Sequence, residues 1–433
     1  MTSPRFVTRL ASLSYGRALA LITVVAFVWR EIYVTLELPM RKVTDEFWYI
    51  MQAHRFFGPH AWTCVNCYAP APTASHGPLT STVMAPVAWL FPHAMPSLRF
   101  VIPFVGAATV VGVATLAKRV HSPRAGLIAA TLAALYPGLW IRDGLVVSEP
   151  FAMCALAWLL VSLISWRQRP SYRWAVAVGL CAGAIALTRS ELLLWALLAI
   201  LIVWRGTRQW RLVSQVVVMV ILVVVSISPW IAYNNGRFAK PVYLSTNLGM
   251  TLAGANCHLT YYDGRFLGYD AWACALAAEN SVASISDESV KSSVMTHEAT
   301  TYISAHLSRL PLVIVGRELW FFGLYRPNAV VGISQLASQP TWATWLQAAG
   351  AWILYPIFLV VMWQRRRVTD PRSRLFARVT LMTLAFAVLL AAAFVGHWRY
   401  RLGLDVVALV TVALWWADRP TRAGARPSFR STG

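Results

Sequence analysis

Apolar stretches of about 20 residues recur along this chain, each closed by a short polar cluster. A helix of that length crosses a bilayer with its backbone hydrogen bonds satisfied internally. The pattern predicts ten spans, at roughly 18–38, 98–117, 125–140, 151–166, 174–187, 192–204, 212–233, 342–363, 375–395 and 402–416. Gly77 to Phe91 is also apolar, but it is short and interrupted by proline. It reads as a juxtamembrane or re-entrant helix. Residues 39–96 and 234–326 are the two longer polar segments, and Thr301 to Tyr325 reads as an amphipathic helix lying in the membrane interface. The expected class is all-α: a polytopic transmembrane helical bundle with juxtamembrane helices and two larger loops. Three parts follow: 1–233, 234–326 and 327–433.

Composition agrees. Of 433 residues, 58% are hydrophobic and 13% charged. A soluble domain carries about a quarter charged residues. The net charge of +21 is not spread as a nucleic-acid footprint. Its Lys and Arg residues sit in clusters between spans: Arg5, Arg9 and Arg17; Lys118, Arg119 and Arg124; Arg167, Arg169 and Arg173; Arg205, Arg208 and Arg211; Arg365 to Arg367; and Arg419, Arg422, Arg426 and Arg430. Threading ten spans puts all of these on one side, the cytoplasmic side by the positive-inside rule. A multi-pass plasma (inner) membrane protein is expected, with both termini cytoplasmic and both long loops outside. The first span follows basic residues without a small-residue cleavage site, so it reads as a retained signal anchor.

Charges that break this rule are candidates for function. Val43-Thr44-Asp45-Glu46-Phe47-Trp48-Tyr49 emerges beyond the first span, beside Arg41 and Lys42. Either carboxylate could serve as a general base. The alternative is a solvated interfacial carboxylate. Adjacent helical residues point about 100° apart, so the two need not act as a pair. Ser148-Glu149-Pro150, with Arg142 and Asp143 just before it, and Arg189 with Glu191 reach the same depth. Each could instead be a helix cap or a local ion pair. Arg399 and Arg401 flank Trp398 and Tyr400. Two guanidinium groups there suit a phosphate, or they snorkel to the interface. His76 and His397 could assist. Arg30–Glu31 lies late in the first span. Among the cysteines, Cys154 and Cys181 fall within spans. Cys257 and Cys274 could close a loop, and Cys64 and Cys67 a tight bridge, on the side where oxidation is allowed. No His pair completes a zinc site around them. No metal ligand and no cofactor are assigned, and a divalent-metal requirement is left open.

In order along the chain stand Asp45-Glu46, His76-Gly77-Pro78-Leu79, Tyr136-Pro137-Gly138, Ser148-Glu149-Pro150, Leu187-Thr188-Arg189-Ser190-Glu191 and Arg399-Tyr400-Arg401-Leu402. This set resembles the GT-C superfamily of polytopic glycosyltransferases, in particular the protein O-mannosyltransferase, aminoarabinose transferase and RgtA/B/C/D-like group. Leu244 to Cys257 resembles membrane proteins of actinobacteria. Many of those glycosyltransferases carry His-Pro-Pro where this chain has His76-Gly77-Pro78.

The resemblance implies a catalytic module within 1–233 and transfer of a sugar from a polyprenyl-phosphate donor to an envelope glycan, lipid or protein on the outer face. Asp45 would be the base, with Glu46 beside it. Tyr49, His76, Glu149, Arg189, Glu191 and His397 would line the substrate site. Arg399 and Arg401 would hold the leaving phosphate, on the opposite side of the anomeric carbon from the base. A lipid-linked donor needs no nucleotide-binding glycine loop, and none is present. The alternatives are a transporter or flippase of lipid-linked sugars, which repeated halves would favour, and a non-catalytic scaffold. The charges gather at one face and no half-to-half symmetry is evident.

Overall fold

The computed structural model describes residues 14–37, 39, 44–65, 71–93, 96–204, 209–336 and 338–419. Arg5, Arg9, Arg41, Lys42, Cys67, Arg205, Arg208, Arg422, Arg426 and Arg430, singled out above, lie outside them. The described residues form no strand beyond one isolated bridge between Thr63 and Pro72. Numbered in chain order, the principal helices of the first half are α1 (Tyr15–Leu36), α2 (Asp45–Arg55), α3 (Leu79–Leu90), α4 (Ile102–Val120), α5 (Pro123–Leu135), α6 (Ser148–Gln168), α7 (Tyr172–Thr188), α8 (Leu192–Trp204) and α9 (Trp210–Asn234). The second half has α10 (Leu248–Ala255), α11 (Trp272–Ser281), α12 (Glu288–Ala305), α13 (Leu310–Phe321), α14 (Thr341–Gln364), α15 (Pro371–Ala393) and α16 (Leu402–Ala417).

Seven of the described helices are long and apolar enough to cross a membrane: α1, α4, α6, α9, α14, α15 and α16. The shorter apolar helices α5, α7 and α8 occupy the remaining three expected spans. The third expected span is cut short by Pro137. A residue before proline is pushed out of the helical region, so α5 ends at Leu135 and one further turn, Pro137–Trp140, follows the bend. Helix α3 has 12 residues, too few to span, as its composition predicts.

Burial sorts the bundle into centre and rim. Of the most apolar window, 83% is buried in α6 and 78% in α16, against 22% in α1 and 17% in α9. Helix α4 packs on α5 and α6, α6 on α7, and α7 on α9. Small residues on the facing sides, Ala114 and Ala117 of α4 with Ala125, Ala129 and Ala133 of α5, are fully buried. Such residues let membrane helices approach closely enough for van der Waals packing, which is what holds them where lipid is as apolar as the protein.

Buried polar groups then fix the register. Arg30 on α1 donates from Nε to Asp143 at 2.5 Å, both side chains almost fully buried. Asp405 on α16 accepts from the hydroxyls of Tyr136 and Tyr355, at 2.9 and 2.6 Å. A charge in such a place is tolerated only when partnered.

Residues 235–326 cover the end of the bundle that carries Asp45. The single amphipathic helix expected over Thr301–Tyr325 is instead broken, because α12 ends at Ala305 and Pro311 opens the first turn of α13, a position that suits proline. Cys257 and Cys274 are joined in a disulfide, and Cys64 is also disulfide-bonded. Arg317 on α13 ties this cover down. It donates to the carbonyls of Ala392 and Ala393, at 2.7 and 3.3 Å, where α15 ends. It also donates to Ala255 O at 3.1 Å and Asn256 Oδ1 at 2.8 Å, where α10 ends. One side chain thus supplies donors to two helix ends, and at the end of α15 it partners carbonyls that the helix leaves open. Replacing it with methionine, Arg317→Met, orphans the Ala392 and Ala393 carbonyls, while Ala255 and Asn256 keep the Thr260 and Tyr261 hydroxyls. We expect a loss of about 3 kcal/mol or more, read as a lower thermal midpoint of the purified protein, and the disulfide loop cleaved faster in limited proteolysis.

Candidate active site

Asp45 opens α2, and the carboxylate sits in the helix's first turn. Arg399 reaches it from a 3-10 turn, Trp398–Arg401, just ahead of α16. His397 caps that turn, its Nδ1 accepting from the Arg399 N–H at 3.0 Å. Arg399 donates from Nη2 to Asp45 Oδ2 at 2.7 Å and from Nε to Glu149 Oε1 at 2.8 Å. Glu149 lies in the first turn of α6, where the helix dipole favours a carboxylate. Arg189, at the end of α7, places Nη1 3.3 Å from the same Glu149 oxygen and donates from Nε to Glu191 at 2.7 Å. Its guanidinium also lies over the Tyr400 ring, 4.8 Å from the centroid. The result is one chain of alternating charge: Asp45, Arg399, Glu149, Arg189, Glu191.

His76 forms one wall. Its Nε2 is 3.9 Å from Asp45 Oδ1, too far for a direct hydrogen bond. Its ring packs against those of Trp48 and Tyr49, at 4.9 and 5.2 Å. The next residue explains the departure from His-Pro-Pro. A Cβ on Gly77 would lie 2.3 Å from the carbonyl oxygen of Leu187. The segment carrying His76 therefore rests directly on the end of α7, and no residue larger than glycine fits.

The cluster is walled by protein, yet 36% of the Asp45 side-chain surface stays accessible. Burial alone would raise the Asp45 carboxyl. Arg399, His76 and Arg189 outweigh it and hold the group well below the usual carboxylate range. Burial lowers the His76 imidazole; Asp45 opposes this, and Arg399 and Arg189 add to it. Burial also lowers the His397 imidazole, well below its ordinary value, with Arg399 and Arg142 adding to the shift, which fits that ring's role as an acceptor.

Residue 270 belongs to this site too, although its sequence context gave no motif to find it by. The loop closed by Cys257–Cys274 brings Tyr269 to 5.8 Å from the His397 ring. It also brings Asp270 close enough to Asp45 and Arg399 to feel both charges. Gly268 makes this possible. Its φ of +75° is in the region that favours glycine, and a Cβ there would lie 2.5 Å from the backbone nitrogen of Arg317. Burial pushes the Asp270 carboxyl up to about 6, with Arg399 opposing and Asp45 adding to the shift.

Two residues expected at the site are not brought to it. Glu46 turns away from Asp45 and takes both Nε and Nη2 of Arg99, at 2.6 and 2.5 Å, together with the N–H of Val146 at 3.1 Å. Arg401 faces the bundle interior, fully buried, with Nε on the Trp398 carbonyl and its guanidinium over the Tyr355 and Trp398 rings. Two steps along a 3-10 turn rotate a side chain by about 240°, so Arg399 and Arg401 cannot share one ligand. Asp45 and Arg399 were expected on opposite sides of a reacting carbon, whereas here they touch. Arg142 stands behind the cluster, 6% exposed, its Nε without a hydrogen-bond partner among the described residues. Tyr49 is buried beneath His76. Among the described residues, no three His, Cys, Asp or Glu side chains are arranged to hold a metal ion.

Residues 75–233 match the family model described as dolichyl-phosphate-mannose-protein mannosyltransferase. Among solved structures, the oligosaccharyltransferase of Archaeoglobus fulgidus tethered to an acceptor peptide containing the NVT sequon shares 15% identity at a TM-score of 0.58. The match covers 93% of this chain and 49% of that one. The same organism's AglB, in complex with an inhibitory peptide and a dolichol-phosphate, shares 17% identity at a TM-score of 0.53, covering 93% and 50%. Over 93% of its length the chain shares the fold of these oligosaccharyltransferases. ArnT from Cupriavidus metallidurans bound to undecaprenyl phosphate shares 16% identity at a TM-score of 0.43, covering 91% and 76%. No curated protein sequence matches the chain. It spans about half the length of the oligosaccharyltransferases that it matches.

The raised Asp270 carboxyl makes a test of this geometry. Its proton is held more tightly in the folded than in the unfolded chain, so ionisation opposes folding as pH rises through about 6. Asp270→Asn removes that opposition. The variant should melt at a higher temperature than the parent at pH 8, and the difference should vanish below about pH 4, where both states are protonated.

Proposed function

We propose that this protein transfers a sugar from a polyprenyl-phosphate donor to an acceptor on the extracytoplasmic face, with Asp45 as the general base. The observation that carries this reading is the sharing of one guanidinium, Arg399, by two carboxylates beside an accessible recess. Its Nη1 makes no hydrogen bond among the described residues. The family match over 75–233 takes in His76, Glu149, Arg189 and Glu191. The archaeal relative binds a dolichol-phosphate and a peptide, and the same two ligand classes, a lipid phosphate and an acceptor, are assigned to this chain. The described members of the basic clusters fall at the other end of the bundle, which supports an outward-facing Asp45 end.

The reaction then runs in an order set by electrostatics. At rest Asp45 is a weak base, because Arg399 stabilises its charge. A donor phosphate competes for Arg399, which binds phosphate through forked hydrogen bonds. As Arg399 turns to the phosphate, the Asp45 carboxyl loses its partner and its proton affinity rises. The base gains strength only when the donor is seated. Asp45 then takes the proton of an acceptor hydroxyl or amine, whose electron pair attacks the anomeric carbon. The bond from that carbon to the phosphate oxygen breaks, and its electrons go to the phosphate held by Arg399. Glu149 keeps Arg399 aimed throughout, and Arg189 keeps Glu149 in place.

Membrane vesicles supplied with polyprenyl-phosphate sugars provide the assay. Asp45→Asn should insert and fold normally yet transfer at least about a hundredfold more slowly. Arg399→Gln should lose on the order of 10²–10³ in turnover and also require more donor. Parental activity in the Asp45→Asn variant would remove the proposed base.

A further inference from the structure

At the end of the bundle opposite Asp45, the ends of α4 and α6 and the starts of α1, α7 and α15 enclose a cavity of about 470 Å³. Four cations line it: Lys118, Arg119, Arg169 and Arg372. Two aromatic residues hold two of these in place. Lys118 Nζ lies 4.0 Å from the centroid of the Tyr15 ring, and the Arg119 guanidinium 4.9 Å from that of Trp174. None of the four cations forms an ion pair among the described residues, and the buried Tyr15 hydroxyl has no hydrogen-bond partner there.

The sequence supplies few acids to neutralise these cations. Of the 17 acidic side chains in the whole chain, only Asp370 and Asp418 fall in the segments at this end. Asp418 is taken by His121 and Arg365. Asp370 caps α15, accepting from the Ser373 N–H at 2.8 Å, and it feels the charge of Arg372, which leaves Lys118, Arg119 and Arg169 without a nearby acid among the described residues. Four like charges around one hollow repel each other unless an anion sits between them. The hollow has the volume of a small-molecule site.

We propose that this cavity binds a phosphate group at the membrane surface: the headgroup of an anionic phospholipid, or a soluble phosphate of the same chemistry. The site is separate from the Asp45 cluster and does not depend on the transfer chemistry. Its aromatic walls, Tyr15 and Trp174, are of the type that settles at headgroup depth, and basic groups facing a leaflet each add attraction for anionic lipid.

The full chain, in neutral detergent micelles, is titrated with phosphatidylglycerol or with inorganic phosphate and followed by native mass spectrometry. The Arg119→Gln/Arg169→Gln variant should bind phosphatidylglycerol roughly twenty-five-fold more weakly, and Arg372→Gln alone roughly fivefold. Arg366→Gln/Arg367→Gln, which removes equal charge outside the cavity, should lose less than about twofold. Melting without added lipid checks that each variant is folded. If inorganic phosphate binds with the same dependence and phosphatidylglycerol does not, the ligand is the soluble form. Equal losses in the two double variants, or no loss in either, would overturn the site.

Discussion

One guanidinium held between two carboxylates organises the active end of this protein. Arg399 satisfies Asp45 with one nitrogen and Glu149 with another. Without it, two carboxylates would face each other in a recess walled by protein, a cost of several kcal/mol per uncompensated charge. Arg189 and Arg142 extend the balance on the positive side, and Glu191 on the negative. The cluster thus sets three arginines against three carboxylates, with Asp270 as a fourth acid whose charge depends on pH. A cluster so balanced keeps each buried charge partnered.

The scaffold explains why only one residue of the Asp45-Glu46 pair is available. Glu46 anchors the start of α2 to Arg99, just ahead of α4. Arg30 and Asp143 fasten α1 to the segment that precedes α6 in the same way. These two buried pairs fix the elements that carry Asp45 and Glu149 relative to one another. The anchoring acid and the accessible acid are neighbours in sequence because a helix turns them about 100° apart. From the other side, Arg317 secures the cover that supplies Tyr269 and Asp270.

Much of this was legible from hydrophobic pattern alone. Ten apolar segments map onto helices, and the short, proline-interrupted α3 was recognisable as no span. Asp45, His76, Glu149, Arg189, Glu191 and Arg399 were named because charges at one depth of a membrane bundle have few reasons to be there, and they converge. The sequence could not say which of two adjacent acids faces the recess, nor which of Arg399 and Arg401. Both choices depend on side-chain direction around a helical turn and on distant partners, Arg99 for Glu46 and the Tyr355–Trp398 wall for Arg401. Asp270 was hidden for a different reason. It stands in a polar loop with no periodicity, and only the disulfide around it hints at a fixed conformation. The break between α12 and α13 was marked by Pro311, which a reading for amphipathic character passed over.

The Asp45–Arg399 contact joins residues 354 positions apart. The amino-terminal half therefore holds an acid whose hydrogen-bonded cation comes from the turn just ahead of α16. A fragment that stops before this turn keeps Asp45 and Glu149 but lacks the guanidinium that both share.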